Sequence, residues 1–185
     1  MIIDTHAHLG WDEVFDEDFT ERDLVESQER NGIALTLVQP AITHELDTVR
    51  RYHDAVADLA RRHPERFRGI ANPNPHLSKG AWEKEVERCV RELEFVGVKL
   101  NPAAHAVNPT SKDGRKVFDT CAGLGVPLIV HTGSGIPWAA PSLLAPAAEA
   151  NPGLKIVAAH SGMMVLAGEA SRLASDYENV FLEVS

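Results

Sequence analysis

The chain has 185 residues, of which 44% are hydrophobic and 24% are charged, so it can bury a core as one domain and is not disordered by composition. Its formal net charge of -9 at pH 7 disfavours nucleic-acid binding, which needs clustered Lys and Arg. No apolar run approaches the ~20 residues that cross a bilayer, and the first predicted strand begins at residue 2, which leaves no room for a signal peptide. We therefore expect a cytoplasmic protein whose partner is a small molecule, not a nucleic acid or a membrane. A homo-oligomer is compatible with the sequence.

Short apolar segments alternate with longer amphipathic segments along the whole chain. The predicted strands cover residues 2 to 6, 33 to 39, 67 to 72, 95 to 100, 127 to 131, 155 to 160 and 179 to 184. The predicted helices cover residues 21 to 31, 46 to 62, 78 to 92, 112 to 124, 140 to 150 and 163 to 176. Helix ends are marked by Asn31-Gly32 and Leu124-Gly125. The strand at 127 to 131 is apolar on both faces, which is typical of a buried parallel sheet.

These seven strand-helix units predict an α/β fold and, within it, a TIM (β/α)8 barrel with strand eight missing from this chain. Such barrels typically need ~250 residues. We therefore expect residues 1 to 185 to form a single barrel domain truncated at its C-terminus, with strand eight supplied by further residues or by a neighbouring chain. A doubly wound open sheet is the alternative. Histidines at the ends of the first, fifth and sixth strands favour the barrel, because its strand ends surround one axis.

Histidines end three of the predicted strands: His6 and His8 the first, His131 the fifth and His160 the sixth. Residues two apart in a strand share a face, so His6 and His8 can reach one metal ion. Neutral imidazole suits zinc, and a catalytic zinc ion keeps three protein ligands and one open position. A histidine beside the ion can move a proton near neutral pH, and His160 is the candidate because its strand neighbours that of His131. The alternative for His131 and His160 is a structural role in the core.

Four motifs together resemble those of a known family: His6-x-His8, Gly97-Val-Lys-Leu-Asn-Pro102, Val130-His-Thr-Gly133 and Ala159-His-Ser-Gly162. They are similar to the amidohydrolase superfamily, specifically its amidohydrolase 2 (amidohydrolase-related) branch, which includes relatives of aminocarboxymuconate-semialdehyde decarboxylase. The resemblance implies one divalent metal ion, usually zinc, held by His6, His8 and His131 together with an aspartate at the end of strand eight. It also implies that His160 assists catalysis. The aspartate has no counterpart here, because strand eight is missing from the sequence.

Lys99 has two interpretations. In binuclear amidohydrolases a lysine at the end of strand four is carboxylated and bridges two metal ions. A plain lysine that binds an anionic substrate or an inner carboxylate is the favoured interpretation here. Asn101, two residues further along the same strand, shares its face.

Other residues follow the strands and would lie on the loops where this fold binds substrate. With Lys99 and Asn101, we expect Trp11 and Trp138, the latter in the segment Ile136-Pro-Trp138, to contact the substrate. Cys89 and Cys121 have no cysteine at motif spacing and are expected to be buried, reduced thiols.

The sequence predicts a metal-dependent hydrolase that cleaves a C-N or an ester or lactone C-O bond of a small organic substrate with a metal-activated water. One alternative is a metal-dependent, non-oxidative decarboxylase of an unsaturated or aromatic carboxylic acid. An arginine facing the metal would favour this alternative, and Arg115 is the nearest candidate. The other alternative is a truncated barrel without catalytic activity. A TatD-like nuclease is disfavoured, because Gly97-Val-Lys99 stands where those proteins carry an acidic ligand.

Overall fold

The computed structural model describes residues 1–133 and 137–185, and the chain divides into two compact units, Met1–Val96 and Gly97–Ser185. Each unit alternates strands with helices, as the periodicity predicts. Among the described residues, none of the helices is long and apolar enough to span a membrane.

In the first unit, a parallel sheet is covered by amphipathic helices. Strand β3 pairs in parallel with β1 on one side and with β4 on the other, while β2 pairs antiparallel with β1. The elements are β1 (Ile2–Asp12), β2 (Glu17–Phe19), α1 (Glu21–Asn31), β3 (Ile33–Pro40), α2 (Leu46–Arg62), β4 (Phe67–Ala71) and α3 (Lys79–Arg91).

The second unit repeats the pattern with strands that all run in parallel. Strand β5 pairs with β6, β6 with β7 and β7 with β8. The elements are β5 (Gly97–Leu100), α4 (Lys112–Leu124), β6 (Leu128–His131), α5 (Ala145–Ala150), β7 (Ile156–Ala159), α6 (Met163–Asp176) and β8 (Val180–Leu182), with 3-10 turns at Pro137–Ala139, Pro141–Leu144 and His160–Gly162.

Local signals explain where the helices begin and end. The Thr20 hydroxyl accepts a hydrogen bond from the Asp23 N–H at the start of α1, and the Ser111 hydroxyl does the same for α4. Gly32 and Gly125 end these helices in the left-handed conformation, where a side chain would be strained. The predicted bounds of α1 and α4 are therefore confirmed.

The core of the second unit lies along its strands. Val98, Leu100, Leu128, Val130 and Ile156 are all fully buried. Their burial stabilises the fold by roughly 1.5–3 kcal/mol for each large aliphatic side chain. The strand at 127 to 131 is buried on both faces, as predicted. Cys89 and Cys121 are also buried and form no disulfide, which confirms the prediction for the thiols.

Three elements differ most from the prediction: β1 is longer, β2 is additional and α5 is shorter. Strand β1 continues to Asp12 and folds back through β2, because the Asp12 carboxylate accepts hydrogen bonds from the backbone N–H groups of Val14 and Phe15 and so closes a turn. The helix predicted at 140 to 150 is shorter, since α5 begins only at Ala145. Pro146 lacks an N–H and cannot lie in the interior of the predicted helix, so it stands in the first turn of α5, and Pro141–Leu144 form a 3-10 turn before it.

Candidate functional site

Strand β1 carries the first predicted pair of metal ligands. His6 and His8 alternate with Ala7 and so share a face of the strand, with their ring centroids 5.3 Å apart. The Asp4 carboxylate accepts a hydrogen bond from the His6 backbone N–H at 2.9 Å. The structure therefore brings this pair together with both rings half-buried.

Gln39 on β3 orients the His8 ring. The two residues are register partners in the parallel ladder, and the Gln39 amide nitrogen lies 3.2 Å from His8 Nε2. An amide NH2 group only donates, so with this amide orientation His8 Nε2 carries a lone pair. Phe19 on β2 packs against the His8 ring at 5.5 Å between centroids. A deprotonated ring nitrogen is the form that binds a metal ion, so an ion at His8 Nε2 would have to displace the Gln39 amide.

The second unit brings His131 and His160 together. His131 ends β6 and is the register partner of Ala159, which ends the neighbouring β7. His160 follows directly, and its Nε2 lies 3.1 Å from His131 Nδ1. The rings meet edge to face with centroids 4.7 Å apart. The ends of adjacent parallel strands thus hold these imidazoles in hydrogen-bond contact, as expected for neighbouring strands.

A tight turn after β7 positions His160. The Thr132 hydroxyl donates to the Ala159 carbonyl at 2.7 Å and accepts the Gly162 N–H at 3.0 Å, which joins the end of β6 to the turn. Gly133 has φ 129°, and a Cβ on it would lie 2.6 Å from a side-chain carbon of Met163. Glycine is needed at this close approach, which explains why a His-Thr-Gly motif follows the strand.

Glu183 is a functional candidate that the sequence interpretation missed. It follows β8, and its carboxylate accepts a hydrogen bond from the His160 backbone N–H at 3.1 Å. It also faces Lys99 closely enough to raise the pKa of that amine. The missed signal was its position, since an acid near the end of the predicted strand 179 to 184 has the same placement as the strand-end histidines.

Lys99 on β5 is only 2% exposed. Burial lowers the pKa of its amine to about 7, although the nearby Glu183 carboxylate raises it. A lysine in this state exchanges its proton near neutral pH. Asn101 is also buried, and its side-chain oxygen accepts a hydrogen bond from the Ala104 N–H at 3.1 Å. Asn101 therefore shapes the loop after β5, and a substrate contact through its side chain stays a prediction.

The predicted aromatic and basic contacts lie at more exposed positions. Trp11 belongs to β1 instead of the loop after it, pairs with Asp18 of β2 and is 43% exposed. The strand extends further than predicted because the hairpin with β2 continues its ladder. Trp138 lies in the 3-10 turn after β6 and is 38% exposed, while Ile136 falls outside the described residues. The guanidinium of Arg115 donates a hydrogen bond to the Thr110 carbonyl just before α4. This contact lies at the start of the helix that carries Arg115.

The fold is similar to that of solved TIM-barrel proteins. A TIM-barrel protein from Bordetella bronchiseptica aligns with a TM-score of 0.76 and 15% identity, over 100% of this chain and 75% of that chain. The dihydroxybenzoic acid decarboxylase from Polaromonas sp. JS666, solved with bound manganese and the inhibitor 2-nitroresorcinol, aligns with a TM-score of 0.64 and 22% identity, over 87% of this chain and 65% of that chain. These likenesses confirm the predicted α/β fold of the TIM-barrel class.

The chain belongs to the amidohydrolase family, because the family model Amidohydro_2, described as amidohydrolase, matches residues 3–185. The family that the four motifs predict is thus confirmed. A curated relative, the gamma-resorcylate decarboxylase of Polaromonas sp. (strain JS666 / ATCC BAA-500), is 31% identical over 125 residues, which cover 56% of this chain and 35% of the relative. The chain thus matches about a third of that relative's length. That the chain is one domain lacking strand eight stays a prediction.

Proposed function

We propose that this chain carries the metal-binding and proton-transfer residues of a metal-dependent, non-oxidative decarboxylase whose substrate is a small aromatic carboxylic acid with a phenolic hydroxyl group. The observation that carries the proposal is the 31% identity to a gamma-resorcylate decarboxylase. This function corresponds to the alternative that the sequence offered, and it replaces hydrolysis as the favoured reaction. Membership of the amidohydrolase family is compatible with both reactions.

The donor chemistry of the residues fits a divalent metal ion. His6 and His8 share a face of β1, and the Gln39 contact is consistent with a lone pair on His8 Nε2. We propose that His6, His8 and His131 hold one ion, and that zinc or manganese fills this role, since the aligned Polaromonas decarboxylase holds manganese. When bound, such an ion polarises a substrate oxygen as a Lewis acid.

His160 and Lys99 are the proposed proton-transfer and anion-binding residues. Decarboxylation breaks the bond between the ring carbon and the carboxylate, and a proton must take the place of the released CO2. An imidazole can deliver a proton near neutral pH, which suits His160 in the His131–His160 contact. Lys99, which is buried and holds a pKa of about 7, would in its charged form attract the substrate carboxylate.

Product analysis tests the reaction type. The protein is incubated with gamma-resorcylate and related hydroxybenzoates in the presence of Mn²⁺ or Zn²⁺, and in parallel with a panel of lactones, esters and amides. The proposal predicts release of CO2 and formation of the decarboxylated phenol, both abolished by chelation. Hydrolysis of the second panel without CO2 release from any hydroxybenzoate would instead support the hydrolase and overturn the proposal. The variant Glu87→Gln changes an exposed position on α3. It serves as the control, and its products should match those of the wild type.

A further inference from the structure

The turn that carries His160 has an unusual backbone. His160, Ser161 and Gly162 all lie in the left-handed region, with φ values of 61°, 48° and 76°. The first two are not glycine, and such residues stay in this region only where the surrounding structure fixes them. The interactions that fix this turn therefore also determine where the His160 ring points.

The segment after β8 provides those interactions. The Glu183 carboxylate accepts the His160 N–H at 3.1 Å, and the Glu183 carbonyl accepts the Ser161 hydroxyl at 2.8 Å. Ser185 is drawn to the same carboxylate, because both its backbone N–H and its hydroxyl donate to Glu183. One glutamate thus connects the strained turn to Ser185.

Ser185 in turn determines the proton position on His160. His160 Nδ1 lies 3.1 Å from the Ser185 carbonyl oxygen, and a carbonyl can only accept. Nδ1 must therefore carry the proton. The Ser185 hydroxyl, 3.4 Å from the same nitrogen, agrees with this assignment, because it directs its own proton to Glu183 and can accept here. In the neutral ring the lone pair is then on His160 Nε2.

The same logic extends to His131. Its Nδ1 lies 3.1 Å from His160 Nε2, and since that nitrogen carries a lone pair, His131 Nδ1 must donate. The lone pair of the neutral His131 ring is therefore on Nε2. This tautomer is the one that can ligate a metal through Nε2.

We propose that Glu183 is a positioning residue that fixes the tautomers of His160 and His131 by holding the turn after β7 against Ser185. The contacts form one chain, from the Glu183 carboxylate through Ser185 and His160 to His131. The importance of these tautomers for catalysis rests on the proposed function, whereas the tautomers themselves can be measured without a substrate.

Nuclear magnetic resonance of the ring nitrogens tests the proposal. The full chain, labelled with ¹⁵N-histidine, is studied at pH 8, where ordinary imidazoles are neutral, before and after addition of Zn²⁺. Single His→Gln variants assign the signals. In the wild type we expect His160 to show a protonated Nδ1 and an unprotonated Nε2. In Glu183→Ala the ring is released and samples both tautomers. We therefore expect the ¹⁵N chemical shifts of both His160 nitrogens to move toward the average of the values for a protonated and an unprotonated nitrogen.

A second variant and a control keep the test decisive. Ser161→Ala removes only one anchor of the turn, so a smaller shift in the same direction is expected even if Glu183→Ala fails to fold. Glu178→Ala, at an exposed position before β8, should leave the signals of the wild type unchanged. Wild-type tautomers in folded Glu183→Ala, or in Ser161→Ala where Glu183→Ala does not fold, would overturn the proposal. The nitrogen signals report the tautomers even if no substrate is decarboxylated, so the two proposals can fail separately.

Discussion

Two groups of side chains of metal-binding type, one in each unit, differ in what surrounds them. In the first unit, His53 on α2 lies beside Glu85 and Cys89 on α3, and one potential metal-binding atom from each lies within 4.8 Å of the others. In the second unit, His131 and His160 meet at the ends of two strands. Only the second cluster combines histidines with a strained turn and a half-exposed position.

Hydrogen bonding distinguishes the two clusters. His53 is fully buried, donates from Nδ1 to Glu85 at 2.8 Å and accepts the Asn72 N–H at Nε2. Arg50 and Arg88 also donate to the Glu85 carboxylate. Burial raises the pKa of Glu85, but hydrogen bonds from His53, Arg88 and Arg50 outweigh it and hold that pKa well below its usual range.

The thiol of this cluster is equally unsuited to a metal. Burial, together with the nearby Glu85 carboxylate, raises the pKa of Cys89, so the thiolate that a metal requires is disfavoured. The comparison teaches that residue types alone do not make a metal site. Where the group is fully buried and its carboxylate already accepts hydrogen bonds from a histidine and two arginines, it stabilises the fold instead.

Replacing Glu85 should produce the largest change in stability. In Glu85→Leu the two arginines and His53 lose their common acceptor, so the free energy of unfolding should fall by about 3–5 kcal/mol. Metal content per folded molecule should stay the same. Urea denaturation measures the effect, with the exposed Glu87→Leu on the same helix as the matched control. Equal stability of the two variants would show that the cluster does not support the fold.

Replacing His160 should lower activity and leave stability nearly unchanged, the opposite of the effect expected for Glu85. In His160→Asn turnover should fall by roughly 100-fold or more, as for loss of a general acid, while metal content and the free energy of unfolding change little. Steady-state kinetics and metal analysis on the same preparation measure both. Loss of metal in step with activity would reassign His160 as a ligand.

Replacing Lys99 should separate stability from function. A buried amine is costly to keep charged, so Lys99→Met should raise the free energy of unfolding at pH 7 by roughly 1–4 kcal/mol while activity is lost. The exposed Lys155→Met provides the comparison. A destabilised Lys99→Met would mean that Lys99 makes interactions that outweigh its burial.

The pH dependence of stability should show the structural role of His53. Burial lowers its pKa below the usual 6.5, although Glu85 raises it. The folded state therefore binds fewer protons than the unfolded state. The contribution of His53 to the free energy of unfolding is complete above about pH 6.5, and it falls by up to about 1.4 kcal/mol per pH unit as the pH drops below that value. Urea titrations from pH 8 to pH 5.5 should show a shallower dependence in His53→Gln. Identical slopes would contradict this assignment.

Much of the architecture was predictable from the sequence, and the reasons are local. Hydrophobic periodicity and terminal glycines located α1 and α4, and apolar runs located the buried strands. Strand β2 was missed because Glu17–Phe19 is short, polar and exposed, so it carries no periodic signal. Pro146 could have corrected the helix predicted at 140 to 150, since proline favours the first turn of a helix over its interior.

The candidate site was only partly predictable. His131 and His160 could be identified from their positions at strand ends. Their contact depends on the register of β6 and β7, which cannot be read from the sequence. Glu183 was missed because an acidic partner was expected on strand eight. Its role depends on the left-handed turn at His160 and Ser161, and two non-glycine residues give no sign of such a backbone.

Metal stoichiometry tests the central claim, that the strand-end histidines hold a metal and the buried helical cluster does not. Metal content is measured by mass spectrometry on the wild type and on His6→Ala, His131→Ala, His160→Asn and His53→Gln after loading with Mn²⁺ or Zn²⁺. We predict about one ion per chain in the wild type, in His160→Asn and in His53→Gln, and loss of the ion in His6→Ala and His131→Ala. Full metal content in His131→Ala, or its loss in a folded His53→Gln, would contradict the account.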